Sequence, residues 1–303
     1  MSINNVIVCG LGAVGMTFGA RMLGKCNLKV LVDKEHLEKY KNNPQTLNGE
    51  IKSFDYILPE DNFDADLIVI STKLFGLDSA IKMIKNFVSS KTIIISLLNG
   101  ISSEETVSHT YQEAKVLKSY FIGHSAVREG NNIVQDGVGE IVFEYNQELE
   151  EFFKRVGINY SNPENIVYSM WVKYIFNIFS NQTSAILNIT FGEMKNNSQF
   201  KVFAKKIIDE VKLIAQKQGV KGIDNIENDA INSLNKMCDE GKTSMLQDVL
   251  ANRKTEVELF AGEVIKLGKK YSVPTPINQV LYDLIKIREE VDEYRVHSGE
   301  GRK

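Results

Sequence analysis

Cysteine is scarce in this chain. Cys9, Cys26 and Cys238 are odd in number and show no paired or CxxC spacing. That excludes a disulfide framework and a cysteine-built zinc site, and it fits a reducing cytoplasm. Histidine is as sparse. His36, His109, His124 and His297 carry no metal-ligand spacing, so no metal and no histidine relay are expected; His124 is expected only to pack near a cleft. No GxSxG occurs, which removes the nucleophile elbow of the serine hydrolases. Neither charge sign is in excess. Against 36 Lys+Arg stand 39 Asp+Glu, a net charge of −3, and a polyanionic partner such as nucleic acid is not expected. No apolar run approaches the ~20 residues of a bilayer span. The opening Met-Ser-Ile-Asn-Asn lacks the basic start and cleavage site of a secretory signal. There is no internal repeat. The expectation is a cytoplasmic globular protein with no membrane partner. Its 303 residues suggest about two domains, long enough to bury a core without covalent staples.

What is present divides the chain in two. Val6–Cys9, Leu28–Val32, Asp66–Ser71 and Thr92–Leu97 are short runs rich in β-branched residues, with Val116–Ile122 a weaker fifth. Continuous rather than alternating apolar runs indicate strands covered on both faces. Between them lie helix-length segments such as Met16–Lys25 and Leu77–Val88, and this alternation reads as a parallel α/β sheet. Ile133-Val134 and Ile141–Phe143, separated by Gly137 and Gly139, look like a late hairpin. After Asn162-Pro163 the pattern turns helical, with amphipathic stretches at Ile166–Leu187, Gln199–Gln218, Ile226–Cys238, Lys254–Tyr271 and Asn278–Glu290. Pro163 is a local breaker, so the domains are expected at 1–165 and 166–303. The charged tail from Ser298 is expected to fray.

Gly10-Leu11-Gly12-Ala13-Val14-Gly15 is a GxGxxG. Glycines also punctuate ordinary turns, but this motif follows an apolar strand and opens a helix, as a dinucleotide site requires. Gly10 permits the sharp turn, Gly12 lets backbone approach a pyrophosphate, and Gly15 lets helix and strand pack closely. The end of the second strand, where an adenine ribose is read, is Val32-Asp33-Lys34. An acid there accepts from a 2′-OH and a base meets a 2′-phosphate. One of each is present, so NAD and NADP both stay open.

The most informative segment is Trp171 to Asn181. Lys173, Asn177 and Asn181 are spaced i, i+4, i+8 and share one helix face. On a helix otherwise walled by Ile, Phe and Trp, such groups face something polar, because burying them unpaired is costly. Either the stripe meets solvent, or it is a cleft wall where Lys173 donates to a carbonyl and the asparagines fix polar substituents. Thr243–Asp248 followed by Arg253–Glu258 reads as a Ser/Thr-started turn and a charged helix start. Lys73 and Asn99-Gly100 end strands, and open α/β sheets bind ligands beyond the carboxyl ends of their strands. A solvated terminus and a plain turn are the plainer readings of these two.

Taken together, GLGAVG at 10–15, STK ending at Lys73, LLNG ending at Gly100, HSAVREG at 124–130, DGVGEI at 136–141, KYIFNIFSNQTSAI at 173–186 and TSMLQDVLANRKTEVE at 243–258 resemble the ketopantoate reductase (2-dehydropantoate 2-reductase) family over nearly the whole chain. The resemblance implies an α/β fold: an N-terminal Rossmann-type parallel-sheet domain, then an all-α domain like the C-terminal domain of 6-phosphogluconate dehydrogenase, with the active site between them. It implies reduction of ketopantoate to D-pantoate by NADPH, on the route to pantothenate and coenzyme A, by a monomer or homodimer. It makes Lys173 the general acid, and Asn177, Asn181 and Ser244 substrate ligands, with Glu256 beside cofactor and substrate hydroxyl. Lys73 and Asn99 would contact the cofactor, Asn99 also the substrate, and the backbone near Ser125 or Ala126 would border the nicotinamide. Two departures stand out. Some members carry Asn just before the Gly-Glu that matches Gly192-Glu193, where this chain has Phe191. The usual arginine after the second strand is Lys34, preceded by Asp33, so NAD(H) stays open beside NADP(H).

The chemistry agrees. As hydride reaches C2 of a 2-oxo acid, negative charge builds on the carbonyl oxygen. A lysine with its ordinary pKa of ~10.4 is charged at neutral pH, so it orients that oxygen and delivers the proton. Closure about 163–166 would exclude water. The alternatives are a D-2-hydroxyacid dehydrogenase acting on other 2-oxo acids, and a non-catalytic dinucleotide sensor; an intact Lys173, Asn177 and Glu256 set speaks against the sensor.

Overall fold

The structure is a computed structural model describing residues 2–123 and 125–298; His124 and residues 299–303 lie outside it, as do the side chains of Ser125, Val127, Arg128, Glu129 and Val296. Of the tail expected to fray, only Ser298 is described. The chain divides into two compact units, Met1–Ile166 and Val167–Lys303.

The first unit is built on a six-stranded sheet. Its strands are β1 (Asn5–Cys9), β2 (Asn27–Leu31), β3 (Asp55–Ile57), β4 (Leu67–Ile70), β5 (Ile93–Ser96) and β6 (Lys115–Leu117). All pairings are parallel, in the order β3-β2-β1-β4-β5-β6. This is the Rossmann order, with its switch point between β1 and β4, where ligands bind such sheets. The two-residue side-chain period divides the strands between two apolar layers. Val6, Val8, Val69 and Ile95 pack on one face, and Ile7, Cys9, Ile68, Ile70 and Ile94 on the other. Helices α1 (Ala13–Met22), α2 (Lys34–Asn42), α3 (Leu77–Met83), α4 (Ser103–Thr110) and α5 (Gln147–Val156) complete the unit.

Two sequence expectations need correction here, and one strand was missed. Val116–Ile122 is two strands. β6 ends at Leu117, and Ser119–Ile122 joins a three-stranded sheet with Glu140–Phe143 and Tyr160–Ser161. The cause lies at Ser119, whose N–H goes to the Glu104 carboxylate (3.3 Å) and whose hydroxyl goes to the Ser96 carbonyl (2.8 Å) instead of continuing the ladder. The late hairpin does not form either. Asn132–Asp136 pairs antiparallel with Ser125–Glu129, and Glu140–Phe143 pairs with Ser119–Ile122. Gly137 and Gly139, both left-handed (φ 80° and 67°), turn the chain from one sheet into the other. β3 was not foreseen, because its three residues bury only Ile57, too little for a periodic signal.

The second unit is helical: α6 (Ile166–Leu187), α7 (Phe191–Asn196), α8 (Ser198–Lys217), α9 (Ile226–Asn235), α10 (Ser244–Leu250), α11 (Ala261–Tyr271) and α12 (Pro276–His297). α6 has the bounds its sequence predicts. It is apolar nearly all round because it is the buried helix of the unit, with Tyr174, Ile175, Ile178 and Phe179 wholly enclosed. The helix expected over Lys254–Tyr271 starts only at Ala261. Thr255 donates both its N–H (2.8 Å) and its hydroxyl (2.7 Å) to Glu289, which holds that stretch extended ahead of a single turn at Val257–Leu259. The turn expected at Thr243–Asp248 is α10, with Thr243 as its N-cap accepting from Leu246 N.

Candidate active site

The glycine loop joins β1 to α1 at the switch point. Gly10 has φ +104°, a conformation that only glycine adopts without strain. Gly15 sits against the loop so tightly that a Cβ there would lie 1.9 Å from the Gly10 carbonyl oxygen and 2.5 Å from Ser71 Oγ. Gly12, the residue before α1, is different: a Cβ there would meet nothing nearer than the Ser71 carbonyl oxygen at 3.9 Å. Leu11 turns into the core, and Ala13 and Val14 open α1 with half-buried side chains. The loop is held from the residue after β4, where Ser71 Oγ donates to the Gly10 carbonyl (2.8 Å) and approaches that of Cys9 (3.3 Å). Next to it Thr72 packs its methyl against Gly10, and its hydroxyl oxygen is buried with no hydrogen-bond partner among the described residues. A loop with room over Gly12 and an unsatisfied hydroxyl beside it fits a dinucleotide. Lys73, half-buried, precedes the turn at Leu74–Gly76. Asn99, also half-buried, follows β5 and leads into Gly100 at φ +103°.

Behind the β5 end lies a buried polar chain that sequence reading missed. Ser96 Oγ donates to Ser103 Oγ (2.8 Å), which donates to the Glu104 carboxylate (3.0 Å). Burial pushes Glu104 up to about 7, against the opposing hydrogen bonds from its own N–H, Ser103 and Ser119. Its only sequence signal was a Ser-Glu pair at a helix start, which also describes a solvated cap.

At the end of β2, Asp33 is the N-cap of α2. Its carboxylate accepts from His36 N (2.7 Å) and faces the His36 ring (2.8 Å). Burial alone would raise the Asp33 carboxyl; the hydrogen bonds and charge of His36 outweigh that and hold it below the usual range. Lys34 lies on the surface and reaches Glu60 at 3.1 Å. The basic residue expected to face a 2′-phosphate thus already has an acid beside it.

In the second unit the stripe on α6 is ordered. Asn181 Nδ2 donates to Asn177 Oδ1 (3.4 Å), while Asn181 Oδ1 accepts from Ser244 Oγ (3.1 Å) and from Met245 N (3.1 Å). Ser184 Oγ lies 2.5 Å from Thr243 Oγ1. Three contacts therefore clamp the start of α10 onto α6, and Asn177, Asn181 and Ser244 form one hydrogen-bonded row. With its acceptor occupied by Asn181, Asn177 has its amide N–H group left to present. Lys173 stands one turn earlier on the same face, half-buried with its Nζ enclosed. Tyr174 hydroxyl donates to the carbonyls of Leu259 (3.0 Å) and Phe260 (3.2 Å), tying the turn that follows Glu256 to α6. Phe191 is buried and stacks on Phe176 of α6, ring centroids 6.2 Å apart at 26°. Arg253 pairs with the buried Asp248 at 2.7 Å and steadies the chain leaving α10. Lys34, Lys73, Asn99 and the Ser125 backbone occupy separate elements of the first unit. Among the described residues no group of His, Cys, Asp and Glu is arranged to hold a metal ion, and no helix is long and apolar enough to cross a membrane.

A Rossmann sheet with an open glycine loop, followed by a helical unit bearing a lysine–asparagine row, defines an oxidoreductase of the two-domain dinucleotide type. Residues 6–148 match the family described as ketopantoate reductase PanE/ApbA, and residues 165–289 match ketopantoate reductase PanE/ApbA C terminal. The chain belongs to the ketopantoate reductase family. It is 28 % identical to the 2-dehydropantoate 2-reductase of Aquifex aeolicus, over 93 % of this chain and 96 % of that one. It is 26 % identical to that of Streptococcus pyogenes, over 94 % and 98 %. In fold it is similar to a D-mandelate dehydrogenase solved with NADH and anilino(oxo)acetate, with a TM-score of 0.84 at 22 % identity, over 95 % of this chain and 99 % of that one.

Proposed function

We propose that this chain is an NADPH-dependent 2-dehydropantoate reductase, converting ketopantoate to D-pantoate on the route to pantothenate and coenzyme A. The observation that carries the reading is the row Asn177–Asn181–Ser244 on the helix that bears Lys173. In this reading residues 1–165 bind the dinucleotide and 166–303 bind the substrate. The Gly10–Gly15 backbone and the N–H groups opening α1 hold the pyrophosphate, with Lys73, Asn99, the Ser125 backbone and Glu256 along the rest of the cofactor. When bound, the reduced nicotinamide supplies a hydride to C2 of the 2-oxo acid. Lys173 Nζ donates a hydrogen bond to the carbonyl oxygen and delivers its proton as negative charge develops there, so that one hydride and one proton complete the 2-hydroxy acid. Asn177 presents its amide N–H to the substrate, Asn181 holds Asn177 and Ser244 in register, and Ser244 and Asn99 take the remaining polar groups.

NADPH is the preferred cofactor, by a smaller margin than an arginine would give. Lys34 meets a 2′-phosphate as a point charge without a bidentate fork, and the phosphate has to displace Glu60 from it. The test is a panel of 2-oxo acids with NADPH and with NADH, followed by absorbance at the reduced nicotinamide band. Ketopantoate with NADPH should turn over best, and Lys173→Ala should lower kcat by at least ~10²-fold with an unchanged cofactor dissociation constant. Near-normal turnover in that variant removes Lys173 from the mechanism. A clear preference for another 2-oxo acid makes the chain a different 2-hydroxyacid dehydrogenase, and no turnover with any of them would favour a cofactor sensor.

A further inference from the structure

The reaction as proposed makes no use of the buried carboxyl of Glu104, yet three serines from three elements converge on it. Ser96 ends β5, Ser103 begins α4, and Ser119 opens the strand Ser119–Ile122. All four residues are buried. A carboxyl group is costly to take out of water. Only one of its hydrogen bonds, from its own N–H, serves the start of α4; the others come from Ser103 and from Ser119, fifteen residues on. What the network closes is a loop. Between Ser96 and Ser103 run residues 97–102, which carry Asn99 and the left-handed Gly100. The 2.8 Å contact of Ser96 Oγ with Ser103 Oγ joins the two ends of that loop. Leu97 N–H is fixed to the Ile70 carbonyl at 2.8 Å, and Leu98 N–H points back at Ser96 Oγ, 3.5 Å away. Asn99 is the next residue.

The order of donors and acceptors shows what the carboxyl does. A hydroxyl both donates and accepts, so a row of hydroxyls has no direction until one end is fixed. An ionised carboxylate only accepts. Ser103 therefore donates to Glu104, Ser103 Oγ is left to accept from Ser96, and Ser96 Oγ to accept from Leu98 N–H. Each hydroxyl then has one assignment, and the main chain just before Asn99 is held in one place. Ser119 completes the frame, with its N–H on the Glu104 carboxylate and its hydroxyl on the Ser96 carbonyl at 2.8 Å. β5 itself does not need this frame, because β4 and β6 pair with it on both sides. The loop beyond its end does. A polar side chain aimed at a ligand loses much of its effect when misplaced by about 1 Å.

We propose that Glu104 is a positioning residue for Asn99: through Ser103 and Ser96 it holds the 97–102 loop in the conformation that presents the Asn99 side chain to the dinucleotide. The proposal rests on the reading of Asn99 as a cofactor contact. It is tested on the full chain by titrating NADPH fluorescence, a readout independent of which 2-oxo acid is reduced, with thermal denaturation to confirm folding. Asn99→Ala should weaken NADPH binding. Ser103→Ala, which breaks the row at its middle, should weaken it by about 10-fold, the order of one lost hydrogen bond. In an Asn99→Ala background the same Ser103→Ala change should have no further effect, because residues that act through one another are not additive. Glu104→Gln keeps an oxygen for Ser119 N–H and an amide for the Ser103 hydroxyl, so it should retain most of the affinity; Glu104→Leu should lose as much as Ser103→Ala. Amide exchange over residues 97–100 should quicken in Ser103→Ala. If Asn99→Ala binds NADPH as wild type does, the reading of Asn99 fails and the proposal falls with it. If Asn99→Ala weakens binding but Ser103→Ala does not, or does so equally in both backgrounds, the reading stands and the positioning role is overturned. Equal losses in Glu104→Gln and Glu104→Leu overturn the hydrogen-bonded row. Should Glu104→Leu not fold, the Asn99–Ser103 cycle decides alone.

Discussion

Gly12 and Gly15 belong to one motif, yet the structure assigns them opposite kinds of sensitivity, and alanine at each separates a packing role from a ligand role. At Gly15 a Cβ would lie 1.9 Å from the Gly10 carbonyl oxygen, 2.5 Å from Ser71 Oγ and 3.0 Å from the Gly10 carbonyl carbon. Two of those three atoms are backbone, so no rotamer change relieves the clash. α1 has to move off β1, and the Ser71 hydrogen bond to Gly10 breaks with it. Overpacking of this kind costs ~1–3 kcal/mol, and the lost hydrogen bond adds about 1 kcal/mol. At Gly12 the same methyl meets only the Ser71 carbonyl oxygen at 3.9 Å, and φ is −73°, which alanine adopts freely. Alanine is a poorer N-cap than glycine, but it also restricts the unfolded chain, so the folded protein should change by less than about 1 kcal/mol. The space that the methyl fills is the space proposed for the pyrophosphate. Gly12→Ala should therefore melt within a few degrees of wild type while binding NADPH at least ~10-fold more weakly, a loss of about 1.4 kcal/mol. Gly15→Ala should lose both stability and binding. The assays are thermal denaturation with and without NADPH, and titration of NADPH fluorescence. Wild-type affinity in Gly12→Ala would refute the placement of the phosphates, and an unchanged melting temperature in Gly15→Ala would refute the packing argument.

Other expectations follow from the same geometry. Asn181→Ala leaves the buried Met245 N–H without its acceptor and frees Ser244, so it should cost ~1–3 kcal/mol of stability as well as substrate affinity; Asn177→Ala should lose affinity for a 2-oxo acid analogue with little change in melting. Calorimetry and analogue titration in the presence of cofactor separate the two. Asp33→Ala removes the N-cap of α2 and should cost about 1 kcal/mol, while Glu60→Gln should strengthen NADPH binding and leave NADH unchanged, because it releases Lys34; dissociation constants for both cofactors check this. Glu104 titrates near pH 7 in the folded protein against 4.5 for its ordinary value. Between those values the folded state holds the extra proton, so stability falls as pH rises, by about 1.4 kcal/mol per unit and ~3 kcal/mol in all. Glu104→Gln cannot ionise, so its stability relative to wild type should rise by that amount from pH 4.5 to 7.5; a constant difference across that range would mean that Glu104 is not buried as a neutral acid.

What the sequence determined by itself was whatever repeats at short range. The β-branched runs of β1, β4 and β5 specify buried parallel strands, because only two covered faces accept three or four apolar residues in a row. The glycine spacing defines the β1–α1 turn, since Gly10 and Gly15 each answer a local steric need. The i, i+4, i+8 spacing puts Lys173, Asn177 and Asn181 on one face of α6 through helix geometry alone. The tertiary structure decided everything that depends on a distant partner. Thr255 looks like part of a helix until Glu289 draws it straight. Residues 116–122 look like one strand until Glu104, fifteen residues earlier, takes the Ser119 N–H. The same holds at the site. Asn181 reads as a substrate ligand from spacing, but its carbonyl oxygen already holds the start of α10, sixty-three residues further on at Ser244. Asp33 and Lys34, adjacent in the chain, are drawn to His36 and to Glu60. Periodicity records which face a residue occupies; which group meets it there is settled by contacts between segments remote in sequence, and these leave no repeating mark on the chain.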